Sequence, residues 1–155
     1  MVKINKKITP YNYTPQTNKR NTWIVIHYVG AVSSAKNNAD YFYTAKRGAS
    51  AHYFVDDNEI WQVVEDKDSA WHIGGAVKYY NSARNNNSIG IEMCCKMENN
   101  KLVISEQTTQ NTIDLVKCLI QKYNITKIAR HYDCTRKIVP KTVGWKRTAM
   151  DQFFK

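Results

Sequence analysis

The chain alternates between short apolar runs and segments of helical periodicity. Thr22 to Val29 (TWIVIHYV) carries β-branched and aromatic residues on both faces, which predicts a central strand covered on each side. Ser33 and Ser34 open a helical segment reaching Arg47, with Ala35, Ala39, Phe42 and Tyr43 on one stripe. His52 to Val55 and Ile60 to Val64 flank Asp56-Asp57-Asn58-Glu59, the pattern of a hairpin. Ser88 to Cys95 reads as a second buried strand. Behind Ser105, a suitable N-cap, Ile113, Val116, Leu119, Ile120 and Tyr123 recur at helical spacing, and Asn124 is a left-handed stop. Lys127 to His131 predicts a short strand, and Trp145 to Phe154 a closing helix after a proline-bearing loop. The order β-α-β-β-loop-β-α-β-α implies a single α/β domain, a mixed β-sheet flanked by helices. Residues 1–20 are expected as an irregular arm and residues 21–155 as the domain proper.

A loop from Asp66 to Asn87, rich in Gly and Asn, carries Trp71, Tyr79 and Tyr80. Loops of that length inside a compact domain usually serve function.

Length and composition narrow the class. At 155 residues there is room for one ordinary domain, and 43% hydrophobic content is too high for disorder. No apolar run approaches the roughly 18–20 residues of a membrane span, and no apolar stretch follows the basic N-terminus. These features predict a soluble chain made in the cytoplasm, without membrane insertion, and a monomer. The net charge of +10 sits at the two ends: residues 1–20 hold five bases and no acid, and residues 125–155 hold eight bases and two acids. Such a field favours a polyanion, either nucleic acid or a bacterial envelope. Cys94, Cys95, Cys118 and Cys134 match neither a zinc knuckle nor a disulfide framework and are expected as reduced, mostly buried thiols.

Chemistry enters with His27 and His131, each near the C-terminal end of a predicted strand. Glu92 lies inside the apolar run Ile89-Gly90-Ile91-Glu92-Met93, where a carboxylate is costly to bury without a partner. Two imidazoles, that carboxylate and Lys137, six residues past His131, are the parts of a metal-assisted hydrolase. A structural histidine at either position remains the alternative.

Five segments occur in order: His27 on its strand, Ser50-Ala51-His52-Tyr53-Phe54-Val55, Ala70-Trp71-His72-Ile73-Gly74, Asn87-Ser88-Ile89-Gly90-Ile91-Glu92, and Arg130-His131-Tyr132-Asp133 with Thr135, Lys137 and Pro140. Together they resemble the zinc-dependent N-acetylmuramoyl-L-alanine amidases of the phage-lysozyme and peptidoglycan-recognition-protein superfamily, in particular the catalytic domain of phage endolysins. The resemblance runs from about residue 20 to 150. It implies the amidase fold and bacterial peptidoglycan as partner, with cleavage between N-acetylmuramic acid and the L-alanine of the stem peptide after the membrane is permeabilised. It further implies Zn2+ held by His27 and His131, Glu92 as the proton acceptor, and Lys137 as the oxyanion-stabilising cation. Ala51 stands where some relatives have tyrosine, which places the chain in the branch that uses glutamate. Trp71 and His72 are expected on the groove floor or wall, His72 in contact with substrate or packed there, with a third catalytic group as its alternative; His52 is expected as structural, with a contact near the metal as its alternative. Asp133 either orients a histidine or stabilises its own turn.

One position departs from the pattern. The resemblance places a third ligand, usually cysteine and sometimes aspartate, eight residues after His131, where this chain has Val139. Three outcomes stay open: Cys134 reaches the metal by rerouting of the loop, two histidines hold it with water or another group, or the site is degenerate. The last describes a non-catalytic peptidoglycan-binding module. A nucleic-acid-binding protein is a further alternative from charge alone, although no recognisable reading motif supports it. No separate wall-binding domain fits in the chain, which is either a complete short enzyme or a catalytic fragment.

Overall fold

The computed structural model describes residues 3–75 and 79–137. The predicted helix from Trp145 to Phe154 and the Val139 position lie outside the described residues. In chain order the elements begin with β1 (Ile4–Lys6), β2 (Tyr13–Thr14), β3 (Trp23–Val32), α1 (Ala35–Thr44), β4 (Tyr53–Val55) and β5 (Ile60–Gln62). They continue with β6 (Ser69–Ala70), a 3-10 turn (Asn85–Asn87), β7 (Ser88–Glu98), β8 (Lys101–Val103), α2 (Glu106–Tyr123), β9 (Lys127–Arg130) and α3 (His131–Thr135).

The main sheet is mixed, in the order β1-β5-β4-β7-β3-β9. β3 runs parallel to both β7 and β9, β4 is parallel to β7, and only the β4–β5 hairpin in this path is antiparallel. The expected single α/β domain with a helix-flanked mixed sheet is therefore what the chain forms. β8 extends β7 through a two-residue turn in which Asn99 and Asn100 both adopt positive φ, the conformation such hairpins demand. Among the described residues no helix is long and apolar enough to cross a membrane.

Local chemistry sets the helix boundaries. The Ser105 hydroxyl accepts from the Thr108 N–H at 3.0 Å, and Asn124 closes α2 at φ 53°, as the sequence pattern predicts. α1 starts where expected, capped by Ser34, but ends at Thr44 rather than Arg47. The cause is Asn12, fully buried, whose amide donates to the carbonyls of Phe42 and Ala45 at 2.7 and 2.8 Å. Those carbonyls are thereby satisfied without another helical turn. The N-terminal segment is thus not irregular throughout: it ends α1 and supplies β1 at the sheet edge.

Strand alternation sorts the core into two faces. Ile24 and Ile26 of β3 and Ile89, Ile91 and Met93 of β7 pack against Ile113, Leu115, Val116 and Leu119 of α2. The intervening residues point the other way. There Phe54, Val63, Val64 and Cys94 meet Ala35 and Ala39 of α1, while Val25, Ile73, Ala83, Ala129 and Cys134 form a second small cluster. All four cysteines are free, three of them buried. His27, Gly90 and Glu92 share the face opposite α2, so the catalytic candidates and the main core sit on opposite sides of the same strands.

Candidate active site

Parallel pairing of β3 and β7 places His27 directly beside Glu92, with Phe54 of β4 next in line. β9, on the other flank of β3, ends at Arg130 and delivers His131 as the first residue of α3. These residues open into a cleft of about 630 Å³ that is also lined by Trp71, His72 and Lys137. The structure therefore brings His27, His131, Glu92, Lys137, Trp71 and His72 into one place, although up to 110 positions separate them in sequence.

All four histidines of the chain form one continuous column. Ring centroids step from His131 to His27 at 4.9 Å, from His27 to His72 at 5.1 Å, and from His72 to His52 at 5.7 Å. His131 Nε2 lies 3.0 Å from the Gly74 carbonyl, which can only accept, so Nε2 carries the proton and Nδ1 keeps its lone pair. His27 Nδ1 faces Glu92 Oε1 at 4.0 Å, and His27 Nε2 faces His72 Nδ1 at 3.0 Å. Burial, together with the neighbouring His72 and His131 rings and the Lys137 ammonium, each of which opposes a positive charge there, holds the His27 pKa well below the usual imidazole range. Burial also lowers His131, only partly offset by its bond to Gly74. Both rings are neutral near pH 7, the form in which imidazole binds a metal.

Glu92 is the exception to polar satisfaction. Its Oε2 is buried with no hydrogen-bond partner. Burial pushes its carboxyl up to about 8, with Lys137 pulling the other way. Near pH 7 this carboxyl therefore holds its proton, and a positive charge entering the cleft would favour its release.

A divalent zinc fits this donor set in part. Two neutral imidazoles and a nearby carboxylate suit it chemically. Among the described residues, however, no group of three or more His, Cys, Asp or Glu side chains is disposed to hold a metal ion. Cys134 is fully buried in the cluster with Val25 and Ile73, is 3.6 Å from the Asn81 amide, and is absent from the cleft lining. Burial pushes its thiol pKa up, which disfavours the thiolate a metal requires.

Other expected residues take defined places. Trp71 stands in the cleft wall, its indole N–H donating to the Thr14 hydroxyl at 2.8 Å. His72 is only 6% exposed and has both ring nitrogens engaged within the protein, at His27 and at the Ser88 hydroxyl. Asp133 caps α3: its Oδ2 accepts from the Arg130 backbone N–H at 2.9 Å, and both oxygens pair with the guanidinium. It stabilises its own turn. Ser88 and Asn85 were not singled out from sequence. The Asn85 side chain accepts from the backbone N–H groups of His72 and Ile73, holding that segment against the sheet. The polar run Asn85-Asn86-Asn87-Ser88 signals turn chemistry, but nothing local in it reveals a partner at His72.

Fold and cleft together bring two imidazoles, a carboxyl and a lysine to one place. Residues 17–142 match the family model of N-acetylmuramoyl-L-alanine amidases, and the chain belongs to that family. It is 36% identical over 129 residues to the N-acetylmuramoyl-L-alanine amidase CwlL of Bacillus licheniformis, covering 76% of this chain and 35% of that protein. A probable N-acetylmuramoyl-L-alanine amidase of the same organism is 35% identical over 137 residues, covering 81% of this chain and 37% of the relative. The chain thus spans about a third of the length of these curated relatives. Among solved structures, the catalytic domain of XlyA superposes with TM-score 0.75 at 29% identity, covering 97% of this chain and 94% of that one. A mutant endolysin from Bacillus subtilis superposes with TM-score 0.72 at 30% identity, covering 99% and 97%.

Proposed function

We propose that this chain is a zinc-dependent amidase domain that cuts peptidoglycan between the lactyl group of N-acetylmuramic acid and the L-alanine of the stem peptide. The observation that carries the reading is the register pairing of His27 with the isolated carboxyl of Glu92, in a cleft shared with His131 and Lys137. His27 and His131 would hold the ion through their ring nitrogens. When bound, zinc makes water nucleophilic at neutral pH and polarises a carbonyl.

The chain's own groups supply the rest. Glu92 accepts the proton of the attacking water. The water oxygen bonds to the lactyl carbonyl carbon, the carbon–nitrogen bond breaks, and Glu92 returns the proton to the departing alanine nitrogen. The Lys137 ammonium offsets the negative charge that develops on the carbonyl oxygen, a contribution typically worth ~10²-fold or more. Trp71, in the cleft wall, offers an aromatic face to the substrate. The basic ends of the chain draw it toward an anionic cell wall.

Digestion of purified cell walls by the zinc-loaded protein, followed by release of free alanine amino groups, tests this directly. Release is expected from the wild type and not from Glu92→Gln. No release by the wild type at saturating zinc overturns the proposal.

A second reading has its own support. Valine at position 139 and the lack of a three-donor group among the described residues favour a binding module without catalysis. That reading predicts wall binding that survives removal of metal, and hydrolysis that first appears in Val139→Cys.

A further inference from the structure

His72 has no free nitrogen, and its two bonds are not symmetric in what they permit. The Ser88 hydroxyl has one proton, which it donates to the Arg84 carbonyl at 2.5 Å. Toward His72 Nε2, 3.0 Å away, the same oxygen can therefore only accept. The proton on His72 must sit on Nε2. With the ring buried and neutral, Nδ1 of His72 holds a lone pair, so His27 Nε2 is the donor across the 3.0 Å contact. A neutral His27 protonated at Nε2 has its lone pair on Nδ1, the nitrogen that faces Glu92 and the cleft.

We infer that Ser88 and His72 are positioning residues: a one-directional relay from the Arg84 carbonyl through Ser88 and His72 fixes His27 in the tautomer that presents a bare Nδ1 to the cleft. Reversed, the relay would put the proton on His27 Nδ1, aim an N–H at Glu92 and leave no lone pair for a cation. His131 is set the same way by a single step, its Nε2–H held by the Gly74 carbonyl. Two different backbone carbonyls thus leave Nδ1 as the bare nitrogen on two imidazoles that line the same cleft. Such outer partners of a metal-binding histidine are worth 10–100-fold in metal affinity.

The fold reserves room for this relay. A Cβ on Gly90 would sit 2.5 Å from His72 Cγ, so only glycine lets the ring lie flat on β7. Behind it, His52 is pinned by the Gly90 N–H at its Nδ1 and by the Asp68 carbonyl at its Nε2, both at 3.0 Å, and it packs edge-on against His72. Asn85 fixes the backbone of His72 from the other side.

This inference rests on the cleft being a cation site, yet part of its test needs no metal. Side-chain nitrogen NMR of the metal-free protein reports the tautomer of each histidine. His27, His72 and His131 are all expected protonated at Nε2. In Ser88→Ala, His72 loses its acceptor, and His27 is expected to shift toward the Nδ1–H form while His131 stays unchanged as an internal control. Zinc affinity, measured by competition with a chromophoric chelator, is expected to fall 10–100-fold in the same variant. A wild-type His27 protonated at Nδ1, or a Ser88→Ala protein with unchanged His27 tautomer and unchanged zinc affinity, overturns the relay. Failure of the wild type to bind zinc at all, with the tautomers as stated, would instead count against the amidase reading.

Discussion

The two faces of the central sheet are built from the same strands and behave oppositely. On the α2 side, Ile24, Ile26, Ile89, Ile91 and Met93 close against an amphipathic helix and leave almost no exposed surface. One residue along each strand, the other face carries His27, Gly90 and Glu92, with an unpartnered carboxyl oxygen and a column of imidazoles. Apolar burial on the first face is worth about 25 cal/mol per Å² and asks little of geometry beyond volume. The second face keeps charged and polar groups in places where burial opposes them. A sheet with one dry face can tolerate such a site on the other, because stability and chemistry are divided by the period of two.

The sharpest break of that division is on the cleft side. Glu92→Gln is expected to lower wall hydrolysis by about 10²–10⁴-fold, the usual worth of a general acid–base. The same change should stabilise the metal-free protein near neutral pH, since burial makes the native Glu92 hold a proton that the unfolded glutamate gives up, and glutamine needs none. Unfolding in denaturant alongside the activity assay checks both signs, and a destabilised Glu92→Gln would contradict the contrast. Its counterpart, Ile91→Ala on the α2 face, is expected to cost about 2–5 kcal/mol of stability through the cavity left beside Leu115 and Val116. The tautomer of His27 should be untouched, because His27 projects from the opposite face.

A smaller effect comes from pH. Burial holds His27, His52 and His72 well below the usual imidazole pKa, so near pH 6 the unfolded chain binds protons that the native chain refuses. Stability is lost as pH falls below about 6.5. Glu92 acts in the reverse sense: with its native pKa raised to about 8, the metal-free native state binds the extra proton between about pH 4.5 and 8. Its contribution is present at low pH and lost as pH rises through 8. The metal-free wild type should therefore lose stability between pH 6.5 and 5, and Glu92→Gln should lose it more steeply. Equal slopes in the two proteins would show that Glu92 does not hold its proton in the native state.

Much of this was legible in sequence where the signal is local. α2 was bounded at both ends by Ser105 and Asn124, the hairpin by its Asp-Asp-Asn-Glu turn, and Glu92 by the oddity of a carboxylate in an apolar run. What escaped depended on contacts between distant segments. β1 exists because β5 offers it an edge, α1 stops early because Asn12 takes its last carbonyls, and α3 is a five-residue helix held by Asp133. The Ser88–His72–His27 relay joins residues 16 and 45 positions apart, and hydrogen-bond direction has no signature in residue type. The sequence leaves His72 as a groove residue that contacts substrate or packs; in the structure it lines the cleft with both ring nitrogens bonded within the protein.

The central claim is that His27 and His131 turn their Nδ1 atoms toward one cation. Crystallography of the zinc-loaded protein with anomalous scattering at the zinc edge tests it most directly. One zinc per chain is predicted, with Nδ1 of both histidines at about 2.0–2.1 Å and Glu92 beside it. Zinc bound elsewhere, bound through Nε2 of His27, or absent from the cleft at saturating concentration would contradict the account.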